Sequence, residues 1–281
     1  MSGITEITGF AHLADLPCYQ LQFADASVVV SAYGAQVLSY QPKPGQELLW
    51  LSPLAVWHNQ QPIRGGVPVC WPWFGPAASQ FNPAQQKLPN HGLVRTRLWT
   101  LMQHNVTADF CQLCLSVFID DLPYYPAKNV ELSLTVTLSA SGLDITLRCD
   151  QVLLQQAALH SYFQVAQLAQ VNVTGIGEQY IDKVLENTQV SEEARLCFNR
   201  EIDRIYTQPA AELCLHSAKQ HIAITQQGFD STVVWNPWVL RCAAISDLAD
   251  DSYQDFVCVE SARLDLALAT PLQLRQRISV A

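Results

Sequence analysis

In the stretch VELSLTVTLSASGLDITLRCD, Val130, Leu132, Leu134, Val136 and Leu138 alternate with Glu131, Ser133, Thr135, Thr137 and Ser139. A period of two predicts a strand with one face buried and one face in water. The SASG that follows turns the chain, and Leu143, Ile145 and Leu147 then share one face, so the pair reads as a hairpin. Similar short runs recur along the chain: YQLQF, SVVVSAYGAQVLSY, ELLWLS, CLSVFID, FQVAQL, HIAITQQ, STVVWNPW and DFVCVESA. Helical periodicity is scarce, with SEEARLCF and the stretch near residues 244 to 255 the two candidates. No Gly/Ser-rich or charge-rich linker, repeat or low-complexity tract divides the chain. The expectation is an all-β protein: a large antiparallel β-sandwich with few short helices, residues 1–281 forming a single domain. A site would then lie on the concave face or at the rim of a sheet.

Composition narrows what such a sandwich could do. Of 281 residues 49% are hydrophobic and only 15% charged, which supports a sizeable core and excludes general disorder. Sixteen basic against 25 acidic residues give a net charge of −9, with no Lys/Arg cluster, so nucleic acid is not an expected partner. An anionic small substrate would need local cations to overcome that average field. The N-terminal residues lack the basic and apolar regions of a signal peptide, and no run of 18 apolar residues exists, so no membrane span is expected. Nine cysteines are scattered singly. Cys111 and Cys114 have CxxC spacing but sit in a strand-like run without a second pair, which favours small thiols over a metal or redox motif. A reduced, cytoplasmic protein is expected, and with no coiled coil or long apolar edge, a monomer.

Several segments carry residues that could do chemistry. Read as a strand, AALHSYFQV puts His160, Tyr162 and Gln164 on one side and Leu159, Phe163 and Val165 on the other. His160 is then either a histidine on a solvated face or a general acid/base, imidazole being the group that titrates nearest neutrality. In DFVCVESARL, Glu260 shares a face with Phe256 and Cys258 while Val257 and Val259 face the other way. That reads as a buried strand ending in an acid, which must be paired, line a cleft or reach solvent. HGLVRTRLWT offers His91, Arg95 and Arg97, the two arginines two apart and so predicted on one strand face. Arg64 lies in QPIRGGVPVCWPWFGP, whose prolines exclude a helix or central strand. Guanidinium groups such as these bind phosphate bidentately or pair on the surface. WNPW needs a turn, and Trp235 and Trp238 suit either a sugar platform or a core corner. Asp203, among alternating apolar neighbours in EIDRIY, could accept from sugar hydroxyls or pair with Arg204 or another arginine.

Taken together, IRGGVPVCWPWFGP, HGLVRTRLW, LHSYFQV, EIDRIY, VVWNPW and FVCVES resemble, in order and from about residue 20 to about 275, the glucose-6-phosphate 1-epimerases. These hexose-6-phosphate mutarotases are a branch of the galactose mutarotase-like superfamily, whose fold is a β-supersandwich. The resemblance implies that His160 and Glu260 are the catalytic pair, that Arg64 and Arg95 meet the sugar phosphate, and that Asp203 contacts sugar hydroxyls. His91 and Trp235 are carried with them as substrate-binding residues. Asn90 stands where members often have a substrate-binding glutamine one methylene longer, and Ser261-Ala262 follows the glutamate where relatives have small residues. Interconverting anomers needs a base for the anomeric hydroxyl and an acid for the ring oxygen. Reference pKa values of roughly 4.3 for Glu and 6.5 for His put the two groups in usable states. No cofactor or metal is implied, and the expected partner is a small sugar phosphate. Three other readings remain: an epimerase of unphosphorylated aldoses, a non-catalytic sugar-phosphate sensor, and, less well matched, a two-carboxylate glycosidase.

Overall fold

The computed structural model describes residues 2–58, 61–125, 129–190, 195–218 and 220–281. The chain forms three antiparallel sheets. The alternation that opens the sequence is realised in full: Val130–Ser139 is buried at every second residue. Its register with Gly142–Leu153 sets Leu134 against Leu147, Val136 against Ile145 and Leu138 against Leu143. These strands are part of a nine-stranded sheet that runs, edge to edge, through Arg195–Cys197, Asn172–Thr174, Glu212–His216, His221–Gln227, Thr270–Val280, Gly142–Leu153, Val130–Ser139, Phe110–Ile119 and Thr100–Val106. A four-stranded meander, Gly3–Phe10, Leu13–Phe23, Ala26–Ser31 and Val37–Gln41, adds a smaller sheet.

The third sheet has eight strands: Asn187–Val190, Gln179–Asp182, Ile202–Tyr206, Ser231–Asn236 and Phe256–Arg263 in order, then Ala157–Leu159 and Val69–Cys70, with Tyr162–Gln164 also on Phe256–Arg263. One hydrophobic cluster draws Leu134, Ile145 and Leu274 from the nine-stranded sheet, Leu159, Phe163, Val234, Val257 and Val259 from the eight-stranded one, and Val28 and Val37 from the smallest. The two large sheets therefore press their apolar faces together, leaving the other face of the eight-stranded sheet to carry different residues. Across the core, Gln276 of the nine-stranded sheet accepts from Ser161 Oγ (2.5 Å) and donates to Ser261 Oγ (3.0 Å), all three fully buried.

Helix content is small but not where the sequence places it. The stretch near 244–255 is mostly turn, with one 3-10 turn at Ser252–Gln254, and the α-helix comes earlier, at Trp238–Ala243. Asn236 accounts for that start, its Oδ1 accepting from the Trp238 N–H while its Nδ2 donates to the Tyr253 and Phe256 carbonyls. The Ser and Asp residues that follow are poor helix formers and favour turns over a continued helix. Of the second candidate, SEEARLCF, residues 191–194 lie outside the described residues. Arg195–Cys197 is a strand, with Leu196 buried opposite Val173. No helix among the described residues is long and apolar enough to cross a membrane. Cys111 is buried while Cys114, three residues on, is half-buried, so the CxxC pair divides between the strand's two faces.

Candidate active site

The central strand Phe256–Arg263 is buried on both faces, and its glutamate is not at the end. Val257 and Val259 face the shared core, and Phe256 and Cys258 join Trp50 and Tyr162 on the opposite side. Glu260 belongs to that second face and is 1% exposed, in mid-strand and out of solvent. The strand predicted around His160 is broken into Ala157–Leu159 and Tyr162–Gln164, but both pieces pair with Phe256–Arg263 in one continuous register. Leu159 opposes Ser261 and Tyr162 opposes Cys258, so His160 falls opposite Glu260. The His160 Nε2 lies 3.4 Å from the Glu260 Oε1. The solvated-histidine reading fails, because His160 is buried and its ring stacks on Tyr162, centroids 4.8 Å apart and planes 9° from parallel.

Register also assembles the rest of the sheet face. Tyr162, Cys258, Trp235 and Asp203 form one cross-strand row, and Glu260, Val233, Ile205 and Ile181 the next but one. Asp203 and Trp235 thus stand on the same floor as the His160–Glu260 pair, and all four line a cleft of about 840 Å³. Arg204, next in sequence, points the other way, bonding Asp182 and stacking over the Tyr180 ring. Trp238 is not part of the cleft; it packs on Tyr253.

The irregular loop supplies the walls. Gly65 and Gly66 have φ of +111° and +60°, and a Cβ on Gly66 would sit 2.1 Å from the Val37 carbonyl oxygen, so only glycine fits. The loop's backbone is bonded to the His160 segment: the Tyr162 N–H donates to the Gly66 carbonyl and the His160 N–H to the Pro68 carbonyl. One loop therefore aims Arg64 and locates His160. Trp71 and Trp73 are fully buried packing, whereas Phe74 lines the cleft and meets His91 edge-on at 4.8 Å.

The predicted strand face carrying Arg95 and Arg97 does not form. Residues 93–97 are bends and turns between two isolated bridges, with the Arg97 N–H donating to the Val94 carbonyl, and the arginines part company. Arg97 pairs with Asp121. Arg95 enters the cleft, its Nη2 donating to the Asn90 carbonyl at 2.6 Å. Asn90 thus acts on the site at least through its backbone. His91 lines the cleft as well, its Nδ1 accepting from the Gly75 N–H, which leaves the ring proton on Nε2 when neutral.

Burial governs the protonation of these groups. It raises the Glu260 carboxyl well above the usual range, helped by Asp203 and opposed by Arg95. It lowers His160 well below its ordinary value, with His91, Arg64 and Arg95 adding to the effect. His91 is pushed down to about 3 by burial and by the charges of Arg95 and Arg64. Asp203 is raised, again chiefly by burial. Among the described residues, four buried side-chain polar atoms lack a hydrogen-bond partner, and three of them are Arg95 Nε, His160 Nδ1 and Glu260 Oε2. Unpaired buried polar atoms are costly to folding, and their concentration here marks a site.

Sequence reasoning missed several residues in the cleft and directly behind it. Tyr162 had a visible signal, sharing the His160 face by period two. Gln156, Lys183 and Arg241 line the cleft without any local pattern that announces them. Asp247, which pairs with Arg64 across 183 residues of chain, had none either.

The chain matches the aldose 1-epimerase family over residues 17–272. It is 32% identical to a Salmonella typhimurium protein over 99% of this chain and 95% of that one, and 35% identical to an Escherichia coli protein over 88% and 85%. Both carry the name "putative glucose-6-phosphate 1-epimerase". The crystal structure of a "putative mutarotase" from Salmonella typhimurium superposes with a TM-score of 0.88 at 31% identity, covering 99% of this chain and 97% of the other.

Proposed function

The chain belongs to the aldose 1-epimerase family, and on that premise we propose that it interconverts the α and β anomers of hexose 6-phosphates, chiefly glucose 6-phosphate. The observation that carries the reading is the His160–Glu260 pair, buried 3.4 Å apart on the floor of a cleft that also holds Arg64, Arg95 and Arg241. An acid and a base side by side, with guanidinium groups within the same cavity, suit a sugar that bears both a hemiacetal and a phosphate.

In this mechanism the Glu260 carboxylate takes the proton of the anomeric hydroxyl while the His160 imidazolium gives one to the ring oxygen. The bond between that oxygen and the anomeric carbon breaks as the carbonyl forms. Rotation about the adjacent carbon–carbon bond presents the other carbonyl face, and closure returns both protons to their donors. Protons and electrons balance within the pair and the sugar, so the residues finish as they began. Because burial favours neutral Glu260 and neutral His160, the reactive form is the minor tautomer of a pair sharing one proton. Arg64 and Arg95 hold the phosphate, Asp203 and His91 contact hydroxyls, and Trp235 offers an apolar face to the ring C–H groups. The whole chain acts as one domain and as a monomer, in the reduced cytoplasm suited to nine free cysteines.

Exchange spectroscopy by NMR on glucose 6-phosphate tests the reading. The wild-type protein should speed anomer exchange above buffer, and Glu260→Gln should remove about 10²–10⁴-fold of it. No acceleration by wild type would leave a binding protein. Equal efficiency on glucose and glucose 6-phosphate would leave an epimerase of free aldoses.

A further inference from the structure

Arg64 does not enter the cleft as a free cation. Its Nε donates to both carboxylate oxygens of Asp247, each at 3.1 Å, and its Nη1 donates to the Tyr162 hydroxyl at 3.1 Å. The main chain on both sides of this ion pair is pinned by one fully buried residue. The Ser52 N–H donates to the Arg64 carbonyl, and the Ser52 Oγ donates to the Asp247 carbonyl at 2.6 Å. Asp247 and Arg64 are each about a quarter exposed, so the pair is shielded without being sealed. A guanidinium has five N–H donors. Two are spent here, and the remaining three have no partner among the described residues.

We infer that Asp247 is a positioning residue that aims Arg64 at the phosphate and so sets the preference for phosphorylated over free hexose. This rests on the substrate reading above. The physical reason is entropic as well as electrostatic. An arginine side chain loses rotamer freedom when fixed, and a residue that fixes it beforehand removes that cost from substrate binding. Asp247 also acts as a counter-ion between like charges, since its field reaches Arg95 as well as Arg64. Without it, the repulsion that Arg64 exerts on Arg95 would lose the carboxylate that offsets it.

The test is the ratio of kcat/KM on glucose 6-phosphate to kcat/KM on glucose, measured for wild type, Asp247→Asn, Arg64→Met and the double variant. Asp247→Asn keeps the size of the side chain and removes its charge, and Asp247→Ser with a thermal melt guards against misfolding. The ratio should fall about tenfold or more in Asp247→Asn, with the loss mainly in KM. The double variant should be no worse than Arg64→Met, because both changes remove one function. A wild-type ratio in Asp247→Asn, an equal loss on both sugars, or losses that multiply in the double variant would overturn the inference. If Arg64→Met itself kept the wild-type ratio, the assignment of Arg64 to the phosphate would be what failed.

Discussion

Replacing Arg95 with methionine should pull stability and activity in opposite directions. Arg95 is a half-buried guanidinium with no carboxylate paired to it among the described residues, one bond to the Asn90 carbonyl, and a buried Nε bonded to nothing described. An orphaned buried donor costs about 1–3 kcal/mol, and the Asn90 bond returns about 1 kcal/mol. Methionine keeps most of the apolar stem and has neither the orphan nor the charge. The variant should therefore be between unchanged and about 2 kcal/mol more stable, a rise in Tm of up to roughly 4 °C for a chain of this size. Hydrogen bonds to charged groups contribute about 1.5–3 kcal/mol. Losing one at the phosphate should lower kcat/KM for glucose 6-phosphate about ten- to a hundredfold, while that for glucose falls much less. Differential scanning calorimetry and NMR anomer exchange on both sugars measure the two effects in one preparation. A melting temperature several degrees below wild type would refute the account of Arg95 as a strained, unpaired cation. An equal loss on both sugars would refute its role with the anion.

Other consequences can be tested in the same assays. The pH profile of kcat/KM should be bell-shaped and broad, because the active proton count is one per His160–Glu260 pair. Activity should fall on the acid side through the lowered His160 value, when a second proton binds, and on the alkaline side through the raised Glu260 value, when the last proton leaves. A profile that instead rises through pH 4–5 and stays flat above would mean that Glu260 behaves as an ordinary exposed carboxylate. Gly66→Ala forces a Cβ against the Val37 carbonyl at positive φ and should cost more than about 2 kcal/mol, seen in urea unfolding. Gln276→Leu strands the buried hydroxyls of Ser161 and Ser261 and should destabilise by about 2–4 kcal/mol. Adding Ser161→Ala and Ser261→Ala should restore part of that loss, since both hydroxyls are then gone and only the Val259 carbonyl still lacks the Gln276 amide.

What the sequence by itself determined was local and periodic. Alternation in Val130–Ser139 predicted its buried face, alternation in AALHSYFQV assigned Leu159 and Phe163 to the core, and that in DFVCVESARL set Val257 and Val259 on the face opposite Glu260. The family resemblance carried the candidate catalytic residues. The strand readings succeed because a strand's two faces are written in a few neighbouring residues. Tertiary structure decided the rest. His160 meets Glu260 only through a register between strands about 100 residues apart, and a slip of one residue would turn one of the two away. Arg95 and Arg97, equivalent by spacing, separate because the chain there follows turns instead of a ladder. The helix begins at Trp238 because the Asn236 side chain is pinned by carbonyls of residues 253 and 256. Asp247 finds Arg64 through a serine that no local pattern links to either. Pairings of this kind depend on which surfaces pack together, and that is a property of the folded chain as a whole.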